Sequence, residues 1–370
     1  MAREDRMSRS LASEGDMADW KTRGGRGVLD AIWRSGVSGL AARRTQPFGA
    51  IFTLHHVTPE PHGNFPPNGH LRVLPGFVQA VIRHLKARGV DFVDLAEVAR
   101  RVEAQAEGRS SGRFFAAFTL DDGYCNNEEH AAPIFRQENV PYTIFVAPGL
   151  SDGSILPWWE MIEKVVRDNA AVTVPFAPQP LPARTSAEKC AVFDRLSIYL
   201  KSRCAERDVD VEVRRIAAAN GVEELDASSR VMDWDRLRAL SEDPLCTIGA
   251  HSMTHPRLAR LTDAELLTEM EQSRAVIADE LGRRPDFFAY PYGFRDACGP
   301  REFDMAARLG YRAAFTTRLH ALTARSAVNI QALPRLSLNG YYQDPRYVDV
   351  LMSGLPGLWK ERGADPHYLG

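Results

Sequence analysis

The 370-residue sequence predicts an α/β fold on a mostly parallel sheet, and three observations carry that expectation. From Phe48 onward, short apolar runs alternate with segments of helical periodicity. A composition of 44% hydrophobic and 25% charged residues is enough to bury a sizeable core. The length suits one large domain with additions better than a string of small ones.

Residues 1–46 read as an N-terminal extension, helical in its second half. Val28, Leu29, Ile32, Trp33, Val37 and Leu40 form an amphipathic stretch flanked by Arg34, Arg43 and Arg44. Docking on the main domain is the preferred reading, because docked amphipathic helices far outnumber interfacial ones; membrane-surface contact through residues 28–44 is the alternative. The main domain spans 47–350. Its expected strands are Gly49–Leu54, Phe114–Leu120, Thr143–Val146, Cys246–Ala250, Phe287–Tyr290 and Ala313–Thr316. A helix is expected over Phe77–Arg88, where Phe77, Val81 and Leu85 fall four apart and Gly89 can stop it. Another should follow Thr262, whose T-D-A-E matches a capping box, and run to Leu281 before Gly282. Residues 151–241 break the alternation and read as a largely helical insertion; 351–370 read as a C-terminal tail. Trp158 and Trp159 are expected to anchor the insertion rather than stack on sugar rings.

The charge balance excludes some classes of partner. A net charge of −2 offers no field to gather nucleic acid. Five scattered cysteines without a C-x-x-C pair make neither a disulfide framework nor a cysteine zinc site, and they fit a reducing compartment. No apolar run has the length of a signal peptide or a bilayer span, so a cytoplasmic location is expected. Nothing in the pattern points to an oligomeric state.

Chemistry concentrates at the ends of two predicted strands. Phe118-Thr119-Leu120-Asp121-Asp122-Gly123-Tyr124 puts two carboxylates at the end of an apolar run, before a glycine that can turn the chain. Strand ends of this polarity are where barrel folds hold catalytic groups. Adjacent aspartates on a surface would be an ordinary turn; a buried strand leading into them makes that reading less comfortable. Ala250-His251-Ser252-Met253-Thr254-His255 likewise follows a strand. Histidines four apart on one helical turn face the same way, and with a carboxylate from another strand they could hold a metal ion open to water.

These motifs, in this order, resemble those of the NodB-homology polysaccharide deacetylases: T-L-D-D-G-Y resembles T-F-D-D-G, H-S-M-T-H-P resembles H-S/T-x-x-H-P, and Ala289-Tyr290-Pro291-Tyr292-Gly293 resembles R-x-P-Y-G. The resemblance covers about Phe48–Tyr347, interrupted by the insertion. It implies a distorted (β/α) barrel. Carried over residue by residue, it implies Asp121 as general base, Asp122, His251 and His255 as metal ligands, and the backbone N–H of Tyr292 as oxyanion donor. The implied metal is zinc, with cobalt or another divalent ion as alternatives.

Two positions depart from the family pattern. Ala289 stands where relatives carry an arginine that pairs with the base; Arg335 is the preferred replacement and Arg295 the second. Leu336-Ser337-Leu338-Asn339 lacks the histidine that often supplies the general acid. Thr53-Leu54-His55-His56-Val57 resembles the early Y-H-x-V element of poly-N-acetylglucosamine deacetylases and implies His55 as the acid, with His56, His320 and His367 as further imidazoles. The expected reaction is removal of N-acetyl groups from a glucosamine-containing glycan of chitooligosaccharide type, the partner being an N-acetylated oligosaccharide or a lipid-linked sugar. An amidohydrolase acting on a non-sugar amide and a catalytically silent glycan-binding protein are the alternatives.

Overall fold

The computed structural model describes residues 14–60, 63–109 and 112–355. Eight strands form one sheet: β1 (Gly49–Leu54), β2 (Asp91–Phe92), β3 (Phe115–Asp121), β4 (Tyr142–Val146), β5 (Cys246–Ala250), β6 (Phe287–Ala289), β7 (Ala313–Phe315) and β8 (Leu336–Ser337). They run β7-β6-β5-β4-β3-β1-β8, all pairs parallel, with β2 beside the start of β3. Six of the eight match the expected strands within two residues at either end. The two-residue strands β2 and β8 are too short for periodicity to reveal.

Parallel strands covered on both faces read as continuous apolar runs, and every residue of β1, β3 and β4 is buried. Their side chains still alternate. Ala50, Phe52, Leu54, Ala116, Phe118 and Leu120 pack outward in one core with Val78, Val81, Ile82 and Leu85 of the helix Pro75–Ala87. Ile51, Phe115, Ala117, Phe145, Phe287, Ala289 and Phe315 form a second, inner cluster, joined by the helix Leu95–Ala106. A Cβ at Gly249 would lie 2.5 Å from the Phe145 ring, so glycine at this inward position makes room for the phenylalanine.

The sheet curls until its ends meet. Leu333 donates its N–H to Ala314 at 2.9 Å and accepts from the Thr316 N–H at 2.8 Å. Three residues on, Leu336 and Ser337 pair with Phe52 and Thr53. The segment from Leu333 to Ser337 thus joins β7 to β1 and makes a distorted (β/α) barrel of the strands. The helix Asp263–Leu281 begins with the expected capping box between Thr262 and Glu265 and ends at Gly282, whose φ is 67°.

The chain divides into two compact units. The smaller comprises Glu60–His70 and Ile155–Ala227, with the described residues up to Val28; the sheet belongs to the larger. Where the sequence places an insertion over 151–241, the compact unit is thus narrower. Residues 228–241 lie with the barrel: Met232 donates its N–H to Gly123 and Cys125 donates to Arg230, at 2.9 and 2.8 Å. Their charged, helical character resembles that of the inserted helices Ser186–Ser202 and Val209–Ala219, so composition shows no border. Trp158 and Trp159 are buried, edge to face at 5.8 Å. Within their unit Trp159 accepts from Asn68 through its carbonyl and Lys201 lies over Trp158.

The N-terminal helices Glu14–Ser35 and Val37–Thr45 include a docked stretch. Leu29 packs with Tyr347 and Val350, and Thr45 donates its hydroxyl to Ser353 at 2.8 Å. No described helix is long and apolar enough to cross a membrane. Of the expected C-terminal tail, 356–370, with His367, lie outside the described residues.

Candidate active site

Inward alternation along β3 takes Phe115, Ala117, Thr119 and finally Asp121 into the barrel. Asp121 is 1% exposed. Arg335, wholly buried, meets it with two parallel bonds of 2.7 Å, Nη1 to Oδ1 and Nη2 to Oδ2. The guanidinium is itself held by Thr119 Oγ1 at 3.0 Å and the Thr316 carbonyl at 3.1 Å, above the Phe145 ring. Burial, the largest influence, pushes the Asp121 pKa up; the charge and hydrogen bonds of Arg335, with help from the nearby imidazoles, together outweigh it and hold the carboxyl well below the usual carboxylate range. Arg295 is exposed, and Ala289 sits in the inner apolar cluster. The arginine partner of the aspartate therefore comes from the segment that closes the barrel, not from position 289.

The backbone turns at Asp122, with φ 72°. Its Oδ1 lies 3.6 Å from His251 Nε2 and 3.3 Å from His255 Nε2. The donor atoms of these three residues all lie within 4.8 Å of one another. A tetrahedral zinc ion with ligand bonds near 2.05 Å has ligand–ligand edges of about 3.3 Å. His251 Nδ1 meets the Ala289 carbonyl at 2.7 Å, which places a proton on Nδ1 and leaves the Nε2 lone pair facing Asp122. Burial lowers the pKa of both imidazoles, that of His255 strongly, so each is held neutral. Two neutral imidazoles and a carboxylate whose donor atoms converge in this way are a ligand set suited to a divalent cation.

The two histidines do not share the helical turn that their spacing predicts. Cys246–Ala250 is a strand, and the chain beyond it is a loop with left-handed residues at Ser252 (φ 59°) and His255 (φ 56°). Glu269 holds this loop, accepting from the backbone N–H groups of Met253 and Thr254 and from the Thr254 hydroxyl at 2.6–2.9 Å. His255 Nε2 faces Asp122 because the loop reverses, not because helical geometry repeats. Among the described residues six non-glycine positions have positive φ, and four of them are Asp122, Ser252, His255 and Tyr292. Strain of this kind persists where surrounding structure enforces it, and it clusters at functional sites.

Tyr292 (φ 62°) stands with its ring 4.9 Å from that of His255. Gly293 after it has φ 67°, and a Cβ there would come within 2.5 Å of the Thr317 nitrogen. At the end of β1 the consecutive histidines separate. His56 is stacked on Tyr124 with ring centroids 3.6 Å apart, and its Nδ1 meets Asn126 Nδ2 at 2.9 Å. His55 continues the inward series of Ile51 and Thr53 and lies near enough to Asp121 and His255 to influence both electrostatically. Asn339, in place of the late histidine, accepts from the Tyr341 N–H. Glu269, Asn126 and Asn127 carry no signal in the sequence, and the role of Thr119 as a partner of Arg335 is not legible from its motif; each acts through partners distant along the chain.

Known proteins resemble this chain in part. The polysaccharide deacetylase family profile matches residues 209–314, a span that holds His251, His255 and Tyr292 but neither aspartate nor Arg335. No curated protein matches the sequence. The deacetylase PplD of Streptococcus pyogenes, solved in complex with acetate, is 16% identical, with a TM-score of 0.54 over 82% of this chain and 97% of that one. IcaB from Ammonifex degensii is 15% identical, with a TM-score of 0.52 and the same coverage. These likenesses show the fold.

Proposed function

We propose that this chain, whose residues 209–314 match the polysaccharide deacetylase family, is an enzyme that hydrolyses N-acetyl groups on a glucosamine-containing glycan and releases acetate. The observation that carries this reading is the convergence of Asp122, His251 and His255 beside an arginine-clamped Asp121 at the ends of barrel strands. Asp122, His251 and His255 would hold a divalent ion, zinc by donor type. When bound, that ion supplies the acidity that lets a weak base deprotonate water, and the polarisation of the acetamide carbonyl.

The remaining work falls to the chain. Asp121 stays ionised because of Arg335 and takes the proton of the attacking water, whose oxygen bonds to the acetyl carbon. The carbonyl oxygen gains negative charge against the backbone N–H of Tyr292. An amine anion cannot leave, so His55 passes a proton to the nitrogen as the C–N bond breaks, giving acetate and the free amine. An alanine at 289 would favour a silent scaffold if Asp121 lacked a cationic partner; Arg335 on Asp121 counts against that reading. Short chitooligosaccharides or a lipid-linked sugar are the substrates in view, and five scattered cysteines without a C-x-x-C pair support a reducing compartment.

The test is acetate release from chitooligosaccharides against simple acetylated amines, with metal content measured alongside. His255→Ala and Asp122→Ala should lose bound metal together with activity. Full metal occupancy in both would show the ion is held elsewhere; turnover of acetylated amines alone would move the enzyme to a non-sugar amide.

A further inference from the structure

We propose that Asn127, helped by Asn126, is a positioning residue for His55; the proposal rests on reading His55 as the proton donor. Both asparagines follow the acid pair directly, in Asp121-Asp122-Gly123-Tyr124-Cys125-Asn126-Asn127. The backbone over Asn127–Ala131 is a π-helical turn, with the Ala132 N–H donating to the Asn127 carbonyl. Such turns hold an extra residue, distort the regular helix around them, and recur at functional sites.

Here the turn directs two amides back at the end of β1. Asn127, with no exposed surface, donates Nδ2 to the His55 carbonyl at 2.6 Å and to Asn126 Oδ1 at 3.3 Å. Asn126 Oδ1 accepts from the Val57 N–H at 3.2 Å, while its Nδ2 meets His56. Three consecutive residues, His55, His56 and Val57, are thus each gripped by a side chain from the segment that carries the aspartates.

An asparagine serving only the core would satisfy both ends of its amide. The buried Asn127 Oδ1 meets no hydrogen-bond partner among the described residues. Leaving an acceptor unmet is costly, so the donor end is the part the fold retains. What it fixes is the backbone from which the His55 imidazole extends, relative to the carboxylate that takes the water proton. The strand end bearing the base directly braces the strand end bearing the acid.

The experiment uses zinc-loaded full-length enzyme and two acetyl substrates. A chitooligosaccharide amine must be protonated to leave; the phenolate of 4-nitrophenyl acetate leaves without a proton. Asn127→Ala should lower kcat on the chitooligosaccharide by roughly tenfold or more, part of the ~10²–10⁴-fold worth of a general acid. KM, zinc content and the rate on 4-nitrophenyl acetate should stay close to those of the parent. His55→Ala should show the same selectivity with a larger loss, and Asn127→Ala should add little to it in the double variant. Equal losses on both substrates, or loss of zinc, would make Asn127 a support of the fold or the metal and overturn the proposal. A selective loss in His55→Ala with none in Asn127→Ala would also overturn it and leave the function standing. Unimpaired sugar turnover in His55→Ala would instead remove the proton-donor reading and this inference with it. If Asn127→Ala does not fold, the half-buried Asn126→Ala carries the same comparison, with a smaller selective loss expected and equal losses on both substrates overturning the proposal.

Discussion

Asp121 and Asp122 are chemically identical neighbours that the backbone sends to different tasks. Asp121 is the last extended residue of β3 and points at a guanidinium; Asp122 has turned to φ 72° and points at two imidazoles. Asp121→Asn should keep the metal and lose ~10²–10⁴-fold in turnover, since an amide cannot take the water proton; near-parent rates with an intact site would remove it from the chemistry. Arg335→Met leaves a buried carboxylate without its counter-charge, and a break of that kind costs about 3–5 kcal/mol. A clear drop in thermal midpoint is expected even without metal or substrate. The imidazoles set a pH dependence. His251 and His255 have pKa values lowered by burial, so below about pH 6.5 the unfolded chain binds protons that the folded one refuses. Metal-free protein should therefore lose stability as pH falls through that value, and thermal unfolding across pH 8 to 5 checks it. His251→Gln and His255→Gln should each flatten the slope. The aspartates and histidines were legible in the sequence because family motifs quote them side by side. Arg335 was legible only by elimination, and Asn127 and Glu269 were invisible because their partners lie 72 and 15 or 16 residues away.

The strand elements were readable because burial on both faces leaves uninterrupted apolar runs between turn residues, as in Ala50-Ile51-Phe52 and Ala116-Ala117-Phe118. Loop conformation was not. The spacing of His251 and His255 fits a helix equally well, and only the left-handed backbone at Ser252 and His255 shows which geometry holds. The turn at Tyr292-Gly293 shows how such loops depend on single positions. Alanine at Gly293 would meet the Thr317 nitrogen at 2.5 Å and occupy φ 67°. Gly293→Ala should cost at least ~1–3 kcal/mol in stability, and by moving Tyr292 it should lower kcat more than it raises KM. Steady-state kinetics beside thermal unfolding decide it; a parent-like kcat would detach this turn from the reaction.

At the scale of the molecule the barrel is completed late in the chain. Leu333–Ser337 both closes the ring and supplies the guanidinium, so architecture and charge neutralisation arrive in one segment. Asp121 and Arg335 are 214 positions apart, and about a third of that interval, Ile155–Ala227, belongs to the smaller compact unit. On the ribosome, at roughly 5–20 residues per second, about 10–40 s pass between the appearance of the acid and that of its partner. Throughout that time the nascent chain carries an aspartate destined for a dry interior with no cation to accompany it. Burial of β3 must wait, or bury the acid protonated, and the half-made protein offers its open sheet to chaperones and to other nascent chains alike.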